Sequence, residues 1–106
     1  MSFMTFVTMT PLGKGESVSK HVAKVVDAVD RSGLPYAITP MGTIIESETW
    51  EEVMSVLEKG FNQMQRECAR ISIVIKIDYR KGTSGRLKTK IDSLEKKLDR
   101  ELHKID

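Results

Sequence analysis

Hydrophobic and polar positions along the chain switch between a period of two and a period of about 3.6, and each switch marks a new element. Residues 3–10 are apolar and β-branched and stop at Pro11. Both alternation sets carry large side chains, which predicts a central strand covered on both faces. After a glycine-containing loop, Ser17 offers an N-cap, and Val18, Val22, Val25 and Val29 recur at helical spacing. Gly33 stands where a left-handed C′ residue belongs and Pro35 follows, so the first helix is predicted over 18–32.

Two short strands at 36–39 and 43–47 flank Pro40-Met41-Gly42, where proline presets a turn and glycine tolerates the exit dihedrals. Thr49-Trp50-Glu51-Glu52 is a capping box, and Val53, Leu57, Phe61, Met64 and Cys68 form the apolar stripe of a second helix. Residues 70–79 alternate cleanly, with Ile71, Ile73, Ile75, Ile77 and Tyr79 on one side, predicting a strand with one strongly buried face. After the loop 81–85, Leu87, Ile91, Leu94, Leu98, Leu102 and Ile105 share one helical stripe over 86–106.

The order β-α-β-β-α-β predicts an α+β, ferredoxin-like sandwich with an additional C-terminal helix, as a single domain over 1–106. Right-handed crossovers place both main helices on one sheet face. The other face also carries apolar side chains. Either the chain is an oligomer or the last helix covers that face.

Composition narrows the function classes. The chain is 40% hydrophobic and 30% charged, ordinary for a globular protein, and no apolar run approaches a membrane span. Cys68 is the only cysteine, which excludes an internal disulfide and makes the cytoplasm the expected compartment. The net charge of +2 hides an asymmetry, because residues 1–69 are acidic overall and residues 70–106 basic. Arg80, Lys81, Arg86, Lys88 and Lys90 crowd one acid-free segment, which reads either as a solvated linker or as an anion or nucleic-acid site.

Catalytic raw material is scarce. His21 and His103 have no second ligand at metal spacing, and His21 reads as a solvated helix residue. Cys68 reads as a small apolar residue, and Gly13–Ser17 lacks the spacing of a phosphate loop. No cofactor or metal is expected. Glu46 stands out, as an acid among Ile44, Ile45 and Ser47. It is either an edge-strand charge pointing to water or a ligand anchor, with Thr43 as a second polar contact and Trp50 as a flat face.

The run Gly33-Leu34-Pro35-Tyr36-Ala37-Ile38-Thr39-Pro40-Met41-Gly42-Thr43-Ile44-Ile45-Glu46, then Trp50-Glu51-Glu52-Val53, resembles the small thiamine-binding family with the YkoF-like fold. The opening stretch from Thr10 to Ser19 is similar to that family's first loop and helix entry. The resemblance implies a protomer that assembles as a dimer or dimer of dimers. It also implies binding of the hydroxymethylpyrimidine part of thiamine or a related metabolite, with no enzymatic activity. An aminopyrimidine offers an amino donor beside ring nitrogens, so Glu46 is expected to supply the carboxylate and Thr43 a hydroxyl, with Thr8 and Thr10 as further hydroxyls. Two rivals are a nucleic-acid-binding module of the same element order and a small enzyme. The third strand lacks the aromatics the first would need, and no motif supplies the paired acid and base of the second.

Overall fold

The structure, a computed structural model, describes residues 1–15 and 18–103. Its elements are β1 (Ser2–Pro11), α1 (Val18–Arg31), β2 (Tyr36–Thr39), β3 (Gly42–Ser47), α2 (Trp50–Gln65), β4 (Ile71–Arg80) and α3 (Arg86–Leu98). The strands form one sheet in the order β2-β3-β1-β4 with every neighbouring pair antiparallel, which is the ferredoxin-like arrangement. The expected N-cap Ser17 lies outside the described residues.

Register divides the side chains between the two faces. Met4 opposes Glu46 and Asp78, Phe6 opposes Ile44 and Lys76, and these residues share one face. Thr5, Val7 and Met9 take the other, where α1 and α2 pack. There Val7, Met9 and Ile45 join Val25, Val29, Val53, Val56, Leu57 and Met64 in the core. Gly60 brings the helices together, since a Cβ there would lie 3.1 Å from Val25 Cγ1. The capping box of α2 is present, with Thr49 accepting from the Glu52 amide and the Glu52 carboxylate accepting from the Thr49 amide.

The β2–β3 turn is held by Thr39, whose hydroxyl accepts from the amides of Met41 and Gly42 and donates to the Gly42 carbonyl. Gly42 is required here by space rather than by its dihedrals. A Cβ would stand 2.5 Å from Phe6 Cε2, because the Phe6 ring lies across the bare backbone.

Three expectations change. The isoleucine row of β4 is not strongly buried: Ile73, Ile75 and Tyr79 are 41–47% exposed, because β4 is an edge strand and the two helices sit over β1 and β3. His21 is not solvated but 3% exposed, packed against the chain just beyond α2, with Nδ1 3.5 Å from Glu67 Oε2. The last helix stops at Leu98, where Asp99 turns left-handed (φ 53°), so Leu102 lies beyond it and Ile105 falls outside the described residues. The α3 stripe of Ile91, Leu94 and Leu98 is exposed and does not cover the open sheet face. Among the described residues, no helix is long and apolar enough to cross a membrane.

Candidate functional site

Glu46 sits on β3, an inner strand, so the edge-strand reading is corrected. Only 5% of it is exposed. An ionised carboxylate in such a place needs hydrogen bonds, and the fold provides three. Ser2 Oγ donates to Oε2 at 2.6 Å, the Arg86 amide donates to the same oxygen at 3.0 Å, and the Leu87 amide donates to Oε1 at 3.2 Å. Burial pushes the Glu46 carboxyl up. The Ser2 hydroxyl, the two amides and the nearby guanidinium outweigh it and hold the group below the usual carboxylate range.

These contacts give Glu46 a structural task. Gly85 precedes α3 and has no side chain to cap it, so the first two amides of α3 would be unpaired. Glu46 caps them from a different element, and its charge faces the positive end of the helix dipole. Arg86 completes the arrangement. Its Nε donates to Ser2 Oγ (3.0 Å), one terminal nitrogen to the Asp78 carboxylate (2.8 Å), and the other to the carbonyls of Ser2 and Asp78. Ser2, Glu46, Asp78 and Arg86 therefore tie β1, β3, β4 and the start of α3 into one network. Ser2 and Arg86 carry no sequence signal for this role beyond the requirement that a buried Glu46 find donors.

Two cavities flank the sequence-predicted residues. One, of about 410 Å³, is bordered by Leu34, Pro35, Glu46, Glu48, Glu52 and Leu87, with Ser47, Ser84, Gly85 and Lys88. The other, of about 190 Å³, is bordered by Thr8, Thr10, Thr39 and Thr43 among Met9, Val22, Val25 and Ile38. Thr43 and Glu46 are not brought together. Three positions apart on one strand, they project from opposite faces: Glu46 lies with Met4, and Thr43 with Val7. Thr8, Thr10 and Thr43 border the smaller cavity only. Trp50 borders neither; it is half exposed and stands edge-on to Phe3 at 6.2 Å between ring centroids.

The basic segment splits as well. Arg86 turns inward and is 7% exposed, whereas Arg80, Lys81 and Lys88 stay at the surface. A third cavity, of about 530 Å³, opens between the end of β4 and α3.

A family model described as thiamine-binding protein matches residues 5–95. A UPF0045 protein of Mycobacterium bovis is 37% identical over 98 residues, covering 92% of this chain and 96% of the relative. A UPF0045 protein of Methanothermobacter thermautotrophicus is 31% identical over 94 residues, covering 87% and 95%. Among solved structures, a Methanocaldococcus jannaschii protein superposes with a TM-score of 0.79 at 27% identity, covering 88% of this chain and 95% of that one. A Thermotoga maritima protein provisionally assigned to thiamine biosynthesis or salvage superposes with a TM-score of 0.74 at 18% identity, over 85% and 97%, and shares the fold.

Proposed function

The chain belongs to the thiamine-binding protein family, and from that premise we propose that it binds thiamine or a hydroxymethylpyrimidine-type metabolite without transforming it. Thiamine makes two chemical demands, an acceptor for its aminopyrimidine and compensation for its thiazolium charge. The cavity beside Glu46 carries the proposal because it suits both. Oε1 of Glu46 accepts a single N–H, from Leu87, which leaves it a lone pair for an amino donor. Glu48 and Glu52 add negative charge that exceeds the single cation Lys88, and Leu34, Pro35 and Leu87 supply apolar walls. At about 410 Å³ the cavity falls within the range of small-molecule sites, roughly 300–1,000 Å³.

A second seat is favoured by one observation. Among the described residues, the hydroxyl of Thr43 makes no hydrogen bond and borders the smaller cavity from the helix face, while Thr8 and Thr10, also without a hydrogen bond, border it from the opposite face of the sheet. At about 190 Å³ it suits a bare pyrimidine better than a two-ring molecule. We also propose that copies of the chain associate as a dimer or dimer of dimers, which would cover the exposed rows Ile73, Ile75 and Tyr79 on β4 and Ile91, Leu94 and Leu98 on α3. Trp50, close to Phe3 at that surface, is proposed to meet ligand only where a second copy adjoins it. The proposed compartment is the cytoplasm, where the buried Cys68 thiol stays reduced.

Titration calorimetry with thiamine and with oxythiamine, in which an oxo group replaces the amino group, tests the reading. Thiamine should bind at least about tenfold more tightly, since a carboxylate facing a carbonyl loses a charge-assisted hydrogen bond. Equal affinities, or no heat from either compound, would overturn it.

A further inference from the structure

The cavity of about 530 Å³ between β4 and α3 lies apart from both seats considered for thiamine, and its lining has a different chemistry. Arg86, Thr89, Ser93 and Lys97 follow one another on α3 at steps of three and four, which places them along one face of the helix. Asp78, Tyr79 and Arg80 face them from the end of β4. Three cations therefore stand against a single carboxylate, and that carboxylate is already bound to Arg86 at 2.8 Å. Among the described residues, Arg80 and Lys97 make no ion pair.

Arg86 gives this cavity a fixed floor. Its guanidinium is buried and held by Ser2 and Asp78. Those contacts use four of the five N–H groups a guanidinium carries, so one donor on the nitrogen beside Asp78 remains. A held cation with a spare donor, the exposed Arg80 and the hydroxyl of Thr89, one turn along α3, form a set of donors with an excess of positive charge, while Lys97 stands about 16 Å further along the helix and adds only long-range attraction. An oxyanion with several acceptor oxygens matches that set, and a phosphate dianion matches it in both charge and number of acceptors. We propose that this cleft binds phosphate, either as the free ion or as the terminal group of a small phosphomonoester, with Arg86 as the fixed donor, Thr89 beside it and Arg80 closing over it. The site does not depend on the thiamine reading.

Amide chemical shifts of the full chain, followed during titration with inorganic phosphate and in parallel with glycerol phosphate, test this. Saturable shifts at Arg80, Arg86 and Thr89 are expected, and added sodium chloride should weaken them. Tighter binding of glycerol phosphate would identify an ester as the preferred source, and tighter binding of phosphate the free ion. Replacing both surface cations (Arg80→Gln with Lys97→Gln) leaves the buried network in place and should weaken binding at least about tenfold. Lys20→Gln, on the exposed side of α1, should leave it unchanged. Absence of saturable shifts in the native chain, or equal affinity in the double variant, would overturn the proposal. Thiamine binding without phosphate binding would remove this site alone, and phosphate binding without thiamine binding would remove the thiamine reading alone.

Discussion

Replacing Glu46 by glutamine should loosen α3 before it loosens anything else. The carboxylate accepts from Ser2 and from the amides of Arg86 and Leu87, and glutamine keeps one acceptor oxygen while presenting an NH₂ where the second stood. Oε2 carries two of the three bonds. Whichever way the amide turns, at least one donor loses its acceptor and meets another donor. Hydrogen bonds to a charged group contribute about 1.5–3 kcal/mol each, and a buried donor left unpaired costs about 1–3 kcal/mol. Because the losses share one site and relax together, we expect a total of about 2–4 kcal/mol. Among the described residues few other contacts attach α3: Ile91, Leu94 and Leu98 are exposed, and Arg86 is the buried side chain. The loss should therefore appear as local opening rather than global unfolding. Hydrogen exchange at the amides of Arg86 and Leu87 reads it directly, and about 2 kcal/mol corresponds to roughly 30-fold faster exchange. Core amides of Val53 and Leu57 should change far less. Unchanged protection at Arg86 and Leu87 would refute the capping role.

Further outcomes follow from the same geometry. Since the Glu46 carboxyl is held below its ordinary range, its stabilisation is complete above the unfolded-state value and lost as pH falls through the folded one, so α3 should undock on acidification; exchange at Leu87 measured across acidic pH checks this, and a flat profile would contradict it. Gly42→Ala should cost about 1–3 kcal/mol in urea denaturation, because the new Cβ drives Phe6 off the backbone, and native stability in that variant would remove the steric reason given for this glycine. Multi-angle light scattering should report two or four times 12.0 kDa, and a clean 12.0 kDa species would reject association.

The helices, strands and their order were legible because each bears a clear period, and several boundaries carry a cap, proline or glycine, as Thr49, Pro11 and Gly33 show; the end of α3 was not, since the stripe continues past Leu98 and Asp99 is neither proline nor glycine. Burial of β4 was not. Its isoleucines alternate like a buried strand, but alternation states which residues share a face and not whether a helix covers it. The edge position set by the sheet order decides that. The opposite orientation of Thr43 and Glu46 follows from strand parity alone and was readable from their spacing. The partners of Glu46 were not, since Ser2 and Arg86 are separated from each other by 84 positions and meet only in the folded chain. Burial of His21 likewise depends on residues distant in sequence, such as Glu67 at 3.5 Å from its Nδ1, which no local pattern encodes.

The central claim is that a thiamine-type ligand occupies the cavity beside Glu46. Amide chemical shifts recorded during titration of the native chain with thiamine test it most directly, because they report binding and place it at once. Saturable shifts clustered at Leu34, Ser47, Glu48, Leu87 and Lys88 are the expected result. Shifts confined to Thr8, Thr10 and Thr43 would move the ligand to the smaller cavity, and no saturable shift anywhere would contradict the claim.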